Sequence, residues 1–339
     1  MKETLLALAE QLEGTEYSDV YGNSTDLAAF EAEVAALFGK EAAVFMPSGT
    51  MAQQIALRIW CERDRNFTVA MHPTAHPEFA EQLGYQILHG LQRLPFAAPE
   101  FAAERMLTIR DFEGLAQKPG AVLLELPYRP LGGPLPSWEE LIALHAWASE
   151  HHVKLHLDGA RIWQCRPFYK KEYHEIAALF DSVYVSFYKD LGGLCGSMLL
   201  GPASFIKEAR IWQIRHGGRL FTQGPFWASG RLGMKQVLPQ IDTWVTKAQE
   251  VASVLCSVEG ISAYPNPPHV NMFNLYIRGD AEALTSRHLE LASETGTFLF
   301  FGLHPSPVPG ISMTEMHLSE SSLRFDTGAL PSFLEQLLH

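Results

Sequence analysis

AVLLELPYRPLGGPLPSWEELIALHAWASEHHVKLHLDGAR, residues 121–161, is the stretch whose reading decides the fold. Ala121 to Leu126, apolar except for Glu125, reads as a buried strand. Pro136 then precedes Ser137, and Glu140 stands three residues further on, a capping box that starts a helix running to about His151. A second strand, Lys154 to Leu157, follows and ends in Asp158-Gly159-Ala160-Arg161. Strand, helix, strand in this order is a βαβ unit, and the right-handed crossover makes its strands parallel. The predicted class is therefore α/β.

Outward from this unit the pattern repeats in variants. Residues 1–13 carry Leu5, Leu8 and Leu12 at helical spacing, and Leu27 to Phe38 do the same until Gly39 ends the helix. Ala42 to Met46 is a short strand, and a helix runs from Pro47-Ser48-Gly49-Thr50 to about Cys61. Ser182 to Phe187 and Met198 to Leu200 read as further strands. Helical pattern dominates from Ser204 to about Leu255, broken at Gly217-Gly218 and Pro225. Beyond Pro265-Asn266-Pro267-Pro268, residues 270–339 read as strand, helix, strand, helix, with Asn271–Ile277 and Ser322–Phe325 as the strands. The expected organisation is an N-terminal helical arm (1–20), a large domain with a mainly parallel sheet (21–235) and a smaller α+β C-terminal domain (236–339).

Composition narrows the function. The 339 residues are 47% hydrophobic and 19% charged, enough for a sizeable core and too apolar for disorder. With 26 Lys and Arg against 38 Asp and Glu the formal charge is −12 and no basic run exists, which argues against nucleic acid and anionic membrane as partners. No apolar stretch approaches the roughly 18 residues of a spanning helix, and the N-terminal apolar block is too short for a secretory signal. Cys61, Cys165, Cys195 and Cys256 stand far apart without a CxxC, as reduced thiols of a cytoplasmic protein would.

Several residues stand where chemistry is done. Ser48-Gly49-Thr50 opens a helix, where free backbone N–H groups and two hydroxyls make an anion site; an ordinary Ser/Thr N-cap reads the same way. Asp158 closes a buried strand at its carboxyl end, where open α/β sheets place their ligands. It needs a positive partner, Arg161 or a bound cationic ring nitrogen, unless it merely caps the following turn. Lys189 follows the strand SVYVSFY before a glycine-rich loop; desolvated it is a Schiff-base candidate, and otherwise it snorkels to solvent. His72 and His76 have the i,i+4 spacing of a metal pair, but Pro73 and Pro77 oppose a helix and no third ligand stands out, so no metal is expected. Taken in order, a phosphate loop, a histidine, a strand-end Asp and, 31 residues later, a strand-end Lys form the set that pyridoxal phosphate needs: an anion cradle, a carboxylate for the ring nitrogen and an amine for the aldehyde.

DVYGNSTDLAAFEAEVAALFGKEAAVFMPSGTMAQQIAL, LHLDGARIW and SFYKDLGG resemble the low-specificity L-threonine aldolase family, in the β-eliminating lyase group of pyridoxal-phosphate enzymes with the aspartate aminotransferase type of fold (fold type I). The resemblance covers about residues 17–235 strongly and the C-terminal domain weakly. It implies pyridoxal 5'-phosphate as cofactor, with Ser48, Gly49 and Thr50 on its phosphate, His76 stacked on its ring, Asp158 on the ring nitrogen, Arg161 near its oxygen and the substrate carboxylate, and Lys189 as the covalent anchor. Arg324, in LRFDTG, would bind the substrate α-carboxylate. The implied reaction is retro-aldol cleavage of a β-hydroxy-α-amino acid to glycine and an aldehyde, with His76, Tyr128 or water as the base. The alternatives are β-elimination or transamination on the same cofactor and, third, a non-catalytic binding protein.

The chain departs from the family pattern in places. The opening R-S-D-T segment has no counterpart. The E-N-T-H loop appears as Glu125-Leu126-Pro127-Tyr128. Lys189 sits between Tyr188 and Asp190, Phe221 replaces an arginine that reaches a neighbouring subunit's phosphate (with Arg219 nearby), and Gly328 replaces a histidine. The resemblance also implies a homodimer or homotetramer with shared sites, the loop around Tyr21 and the segment near Arg219 reaching across. Phe221, Phe226 and Trp227 cluster where such an interface would fall.

Overall fold

A computed structural model describes residues 2–11, 19–96 and 104–338. The chain forms two compact units. The first comprises residues 1–126 and 136–239, and the second residues 127–135 and 240–339.

The first unit is built on seven strands: β1 (Ala42–Met46), β2 (Thr68–Met71), β3 (Gln92–Leu94), β4 (Ala121–Glu125), β5 (Lys154–Gly159), β6 (Ser182–Ser186) and β7 (Ser197–Gly201). Their order across the sheet is β1-β7-β6-β5-β4-β2-β3. Strands β3, β2, β4, β5 and β6 pair in parallel, as the sequence predicts from the 121–161 crossover. Strand β7 is antiparallel to both β6 and β1. So β1 runs with the others, and only β7 is reversed. Strands β6 and β7 are buried throughout, which is why their sequences SVYVS and SMLLG show no polar alternation.

Helices cover both faces. Ser24 caps α2 (Thr25–Leu37), after α1 (Lys2–Gln11), and Ser48 caps α3 (Gly49–Asp64), which lies on the sheet. Helix α3 is buried along most of its length, with Ala52, Ile55, Ala56 and Ile59 packed against Val44, Val69 and Leu199. Fully burying aliphatic side chains of this size contributes about 1.5–3 kcal/mol each, so this contact anchors the helix start that the site uses. The helix predicted after Ser137 spans Trp138–Glu150 with both arms of its capping box formed.

The second unit holds a four-stranded antiparallel sheet, β10-β11-β9-β8, from β8 (Ile261–Tyr264), β9 (Met272–Arg278), β10 (His304–Pro305) and β11 (Ile311–His317). Helices 241–255, 281–295 and 330–338 form its core with Phe273, Leu275 and Ile277. The strand expected at Ser322–Phe325 does not form. Residues Glu320–Arg324 are a 3-10 helix instead, because Ser319 and Ser322 bond reciprocally as a capping box. Among the described residues no helix is long and apolar enough to cross a membrane.

Candidate active site

The parallel sheet collects the predicted residues at one edge. Strand β1 leads into Ser48–Thr50, β2 into His72–His76, β5 ends on Asp158 and Gly159, and β6 leads to Lys189. All four strands run the same way, so these are carboxyl ends, the edge where a doubly wound sheet takes its ligand.

Ser48 Oγ accepts the Met51 backbone N–H at 3.3 Å, so the ordinary cap is real. The helix start is also a tight cradle. A Cβ on Gly49 would lie 2.0 Å from Tyr184 Oη and 2.4 Å from Tyr184 Cζ. Tyr184 rises from β6, buried, and holds the loop against the sheet, a position only glycine fills. The first N–H groups of a helix lack partners within it and carry the positive end of its dipole.

Asp158 is buried. One carboxylate oxygen accepts the Ala160 N–H at 3.0 Å, so it does cap the turn after β5. The other accepts from the Gln53 side-chain amide of α3. Burial pushes its carboxyl upward, and the Lys189 ammonium is the largest influence opposing that. Lys189, half-buried, is pulled downward by the same desolvation, with Asp158 acting against it and Arg161 with it. Each therefore favours the other's charged form. Arg161 carries a buried Nε without a hydrogen-bond partner among the described residues.

His76 is the first residue of a short helix, α4 (His76–Phe79), and residues 72–75 lie outside it, so His72 and His76 do not share a helix, as Pro73 and Pro77 lead one to expect. Pro77 occupies the first turn, where its missing N–H costs nothing. The His76 ring is 39% exposed, while its Nδ1 lies 2.9 Å from an oxygen of Glu81, whose side chain is 1% exposed. The other Glu81 oxygen accepts from Gln54 Nε2 at 3.1 Å. Adjacent glutamines of α3 thus hold two carboxylates, Gln53 on Asp158 and Gln54 on Glu81. His72 is committed elsewhere, Nδ1 to Thr74 Oγ1 at 2.7 Å and Nε2 to the Arg105 carbonyl at 2.9 Å.

The structure thus gathers Ser48, Gly49, Thr50, His76, Asp158, Arg161 and Lys189 on the first unit. Tyr128 and Arg324 belong to the second, in the 127–135 segment and at the end of the 3-10 helix. Gln53, Glu81, His156 and Tyr184 escaped the sequence reading; the i,i+5 spacing of His76 and Glu81 was the one visible cue. Trp227 is a correction. It is 1% exposed and its Nε1 donates to Asp19 at 3.1 Å, so it is a core residue and not part of an exposed aromatic cluster.

Comparison with known proteins agrees with this geometry. The family profile of beta-eliminating lyases matches residues 7–279. This chain belongs to the beta-eliminating lyase family. Low-specificity L-threonine aldolase 1 of Arabidopsis thaliana is 29% identical over 291 residues, covering 84% of this chain and 81% of the plant protein. The low specificity L-threonine aldolase of Escherichia coli (strain K12) is 34% identical over 223 residues, 64% of this chain and 65% of the bacterial one. The crystal structure of a candidate L-allo-threonine aldolase from Listeria monocytogenes EGD-E superposes with a TM-score of 0.95 at 36% identity, covering 100% of this chain and 93% of that one. The fold is that of the pyridoxal-phosphate enzymes of fold type I.

The cofactor of this beta-eliminating lyase is pyridoxal 5'-phosphate. The donor set fits it. A glycine-shaped helix start suits a phosphate, a buried carboxylate suits a protonated ring nitrogen, a desolvated lysine amine suits an aldehyde, and the unpartnered Arg161 Nε suits an anionic oxygen.

Proposed function

We propose that this chain is a pyridoxal-phosphate aldolase that cleaves β-hydroxy-α-amino acids of the threonine and allo-threonine type to glycine and an aldehyde. The observation that carries the reading is the mutual charge support of Lys189 and Asp158 at the carboxyl ends of adjacent parallel strands, beside a helix start that only glycine can line. Bound there, the cofactor supplies an electron sink for the pair released as Cα–Cβ breaks.

Each residue has a task that follows from its surroundings. Ser48, Gly49 and Thr50 hold the phosphate with backbone N–H groups and hydroxyls. Asp158, ionised, would hold the protonated ring nitrogen and so keep the ring cationic. Lys189 has an amine that burial moves toward its neutral, nucleophilic form, and it anchors the cofactor. Arg161, with its unpartnered Nε, would bind the cofactor oxygen or the substrate carboxylate, and Arg324 would be a second carboxylate ligand. His76 accepts the β-hydroxyl proton at Nε2, because Glu81 occupies Nδ1 and fixes which nitrogen is free. Tyr128 is a weaker candidate for this step, since an ordinary phenol holds its proton to about pH 10.

A homo-oligomer with shared sites is part of the proposal. Tyr21 and Phe221 meet edge to face at 5.4 Å and are 48% and 64% exposed; the Tyr21 N–H donates to the Phe221 carbonyl at 2.8 Å, and Arg219 donates to the Tyr21 carbonyl at 2.8 Å. An exposed aromatic ledge carrying an arginine suits a neighbouring copy better than water. The cytoplasm is the proposed compartment, supported by four free thiols.

The test is cleavage of L-allo-threonine and L-threonine by purified protein with and without added pyridoxal phosphate. The proposal expects acetaldehyde only with cofactor. 2-Oxobutyrate and ammonia, another keto acid, or no product with a cofactor-loaded protein would overturn it.

A further inference from the structure

Behind Asp158 a line of hydrogen bonds runs between α3 and the sheet. Trp60 Nε1 is 2.7 Å from Ser182 Oγ, Ser182 Oγ is 2.8 Å from His156 Nδ1, and His156 Nε2 is 2.9 Å from Gln53 Oε1. Gln53 Nε2 then reaches Asp158 Oδ2. All five side chains are buried. The arrangement follows from register. His156 and Asp158 alternate on β5, they pair with Ser182 and Tyr184 on β6, and all four face α3.

The proton positions along this line are constrained by chemistry. An indole N–H only donates, so Ser182 Oγ accepts from Trp60; with Gln53 turning Oε1 to His156 Nε2 and its NH2 to Asp158, the polarity consistent with every contact has Ser182 giving its own proton to His156 Nδ1. His156 then carries its hydrogen on Nε2 and donates to Gln53 Oε1. That fixes the amide, turning its NH2 group toward Asp158. An N–H aimed at a carboxyl oxygen favours the ionised form. The opposite polarity would place Gln53 Oε1 against Asp158 and require a proton there.

We propose that Trp60, Ser182, His156 and Gln53 are positioning residues that lock one polarity of this line and thereby keep Asp158 ionised for a cationic ring. The proposal rests on the functional reading above only for the identity of that ring. Burial holds His156 down to about 3, so it stays a neutral donor–acceptor at working pH. The other groups acting on Asp158 are Lys189 and His76, which favour its charge, and Glu81, which opposes it; Tyr184 stands beside it with a phenol that burial pushes well up.

Two measurements test this. In 15N-labelled apoprotein, long-range 15N–1H correlation should show His156 as the neutral Nε2–H tautomer, unchanged between about pH 5 and 9. An Nδ1–H tautomer overturns the proposal. In holoprotein, the dissociation constant of pyridoxal phosphate is followed against pH for Gln53→Leu, Ser182→Ala and Ser182→Thr. Losing a donor raises the proton affinity of Asp158, so the acid limb of binding should move up by about one pH unit, a tenfold loss of affinity on that limb, in Gln53→Leu. The shift should be smaller in Ser182→Ala and near zero in Ser182→Thr, which keeps the hydroxyl. Thermal midpoints of the apoproteins confirm folding. Wild-type limbs in folded Gln53→Leu and Ser182→Ala overturn the proposal. A wild-type chain that binds no pyridoxal phosphate at any pH refutes the cofactor assignment instead, and the tautomer result then still judges the hydrogen-bond line.

Discussion

Replacing Glu81 by Gln tests whether His76 is the base. The change keeps the shape but replaces a buried carboxylate on His76 Nδ1 with a neutral amide oxygen; its NH2 then faces Gln54, whose amide must turn its own oxygen to meet it. A hydrogen bond to a charged group contributes about 1.5–3 kcal/mol and a neutral one about 0.5–1.5. The difference is about 1–1.5 kcal/mol, and the 39% exposure of the His76 ring sets it at the lower end. At about 1.4 kcal/mol per decade, kcat/KM for L-allo-threonine should fall roughly fivefold, mainly in kcat. The control is a double-mutant cycle with His76→Gln. If Glu81 acts through His76, Glu81→Gln costs nothing further once the imidazole is gone. An undiminished loss in the His76→Gln background refutes the reasoning, and so does an unchanged kcat/KM in the single variant.

Other outcomes follow from the same geometry. Gly49→Ala should destabilise the protein to urea by about 1–3 kcal/mol, as overpacking does, and weaken cofactor binding, since its Cβ would overlap the buried Tyr184 ring. Lys189→Ala should retain its folded circular dichroism and lose L-allo-threonine cleavage by several orders of magnitude. Burial holds His89 down to about 4 from an ordinary 6.5. The unfolded chain therefore binds the extra proton first, so its stabilising contribution is complete above about pH 6.5 and is lost as pH falls toward 4, up to about 3 kcal/mol in urea titrations; His89→Phe should flatten that slope. A chelator should leave cleavage unchanged, since among the described residues no three His, Cys, Asp or Glu side chains gather as a metal site.

What the sequence made legible was local. The Ser137 capping box, the largely apolar strands and Asp158 at a strand end are written in spacings of a few residues, and each element formed where expected. Lys189 and Ser48 were placed by the same strand-then-turn logic. The groups that tune them were hidden because their partners are remote in sequence: Gln53 meets Asp158 across 105 residues, and His156 meets Gln53 across 103. No periodicity encodes such a contact. The misread strand at Ser322–Phe325 shows the reverse case, where serine side chains satisfy the backbone locally and a β-like run closes into a 3-10 turn. Trp227 shows a third: its indole N–H goes to the buried carboxylate of Asp19, 208 residues away, while Phe221 stays 64% exposed.

The most direct test of the central claim is reductive trapping. Holoprotein is treated with borohydride, digested and mapped by mass. The account predicts a stable pyridoxyl adduct on the peptide containing Lys189, absent from Lys189→Ala. An adduct on another lysine, or none in protein that binds and uses the cofactor, would contradict it.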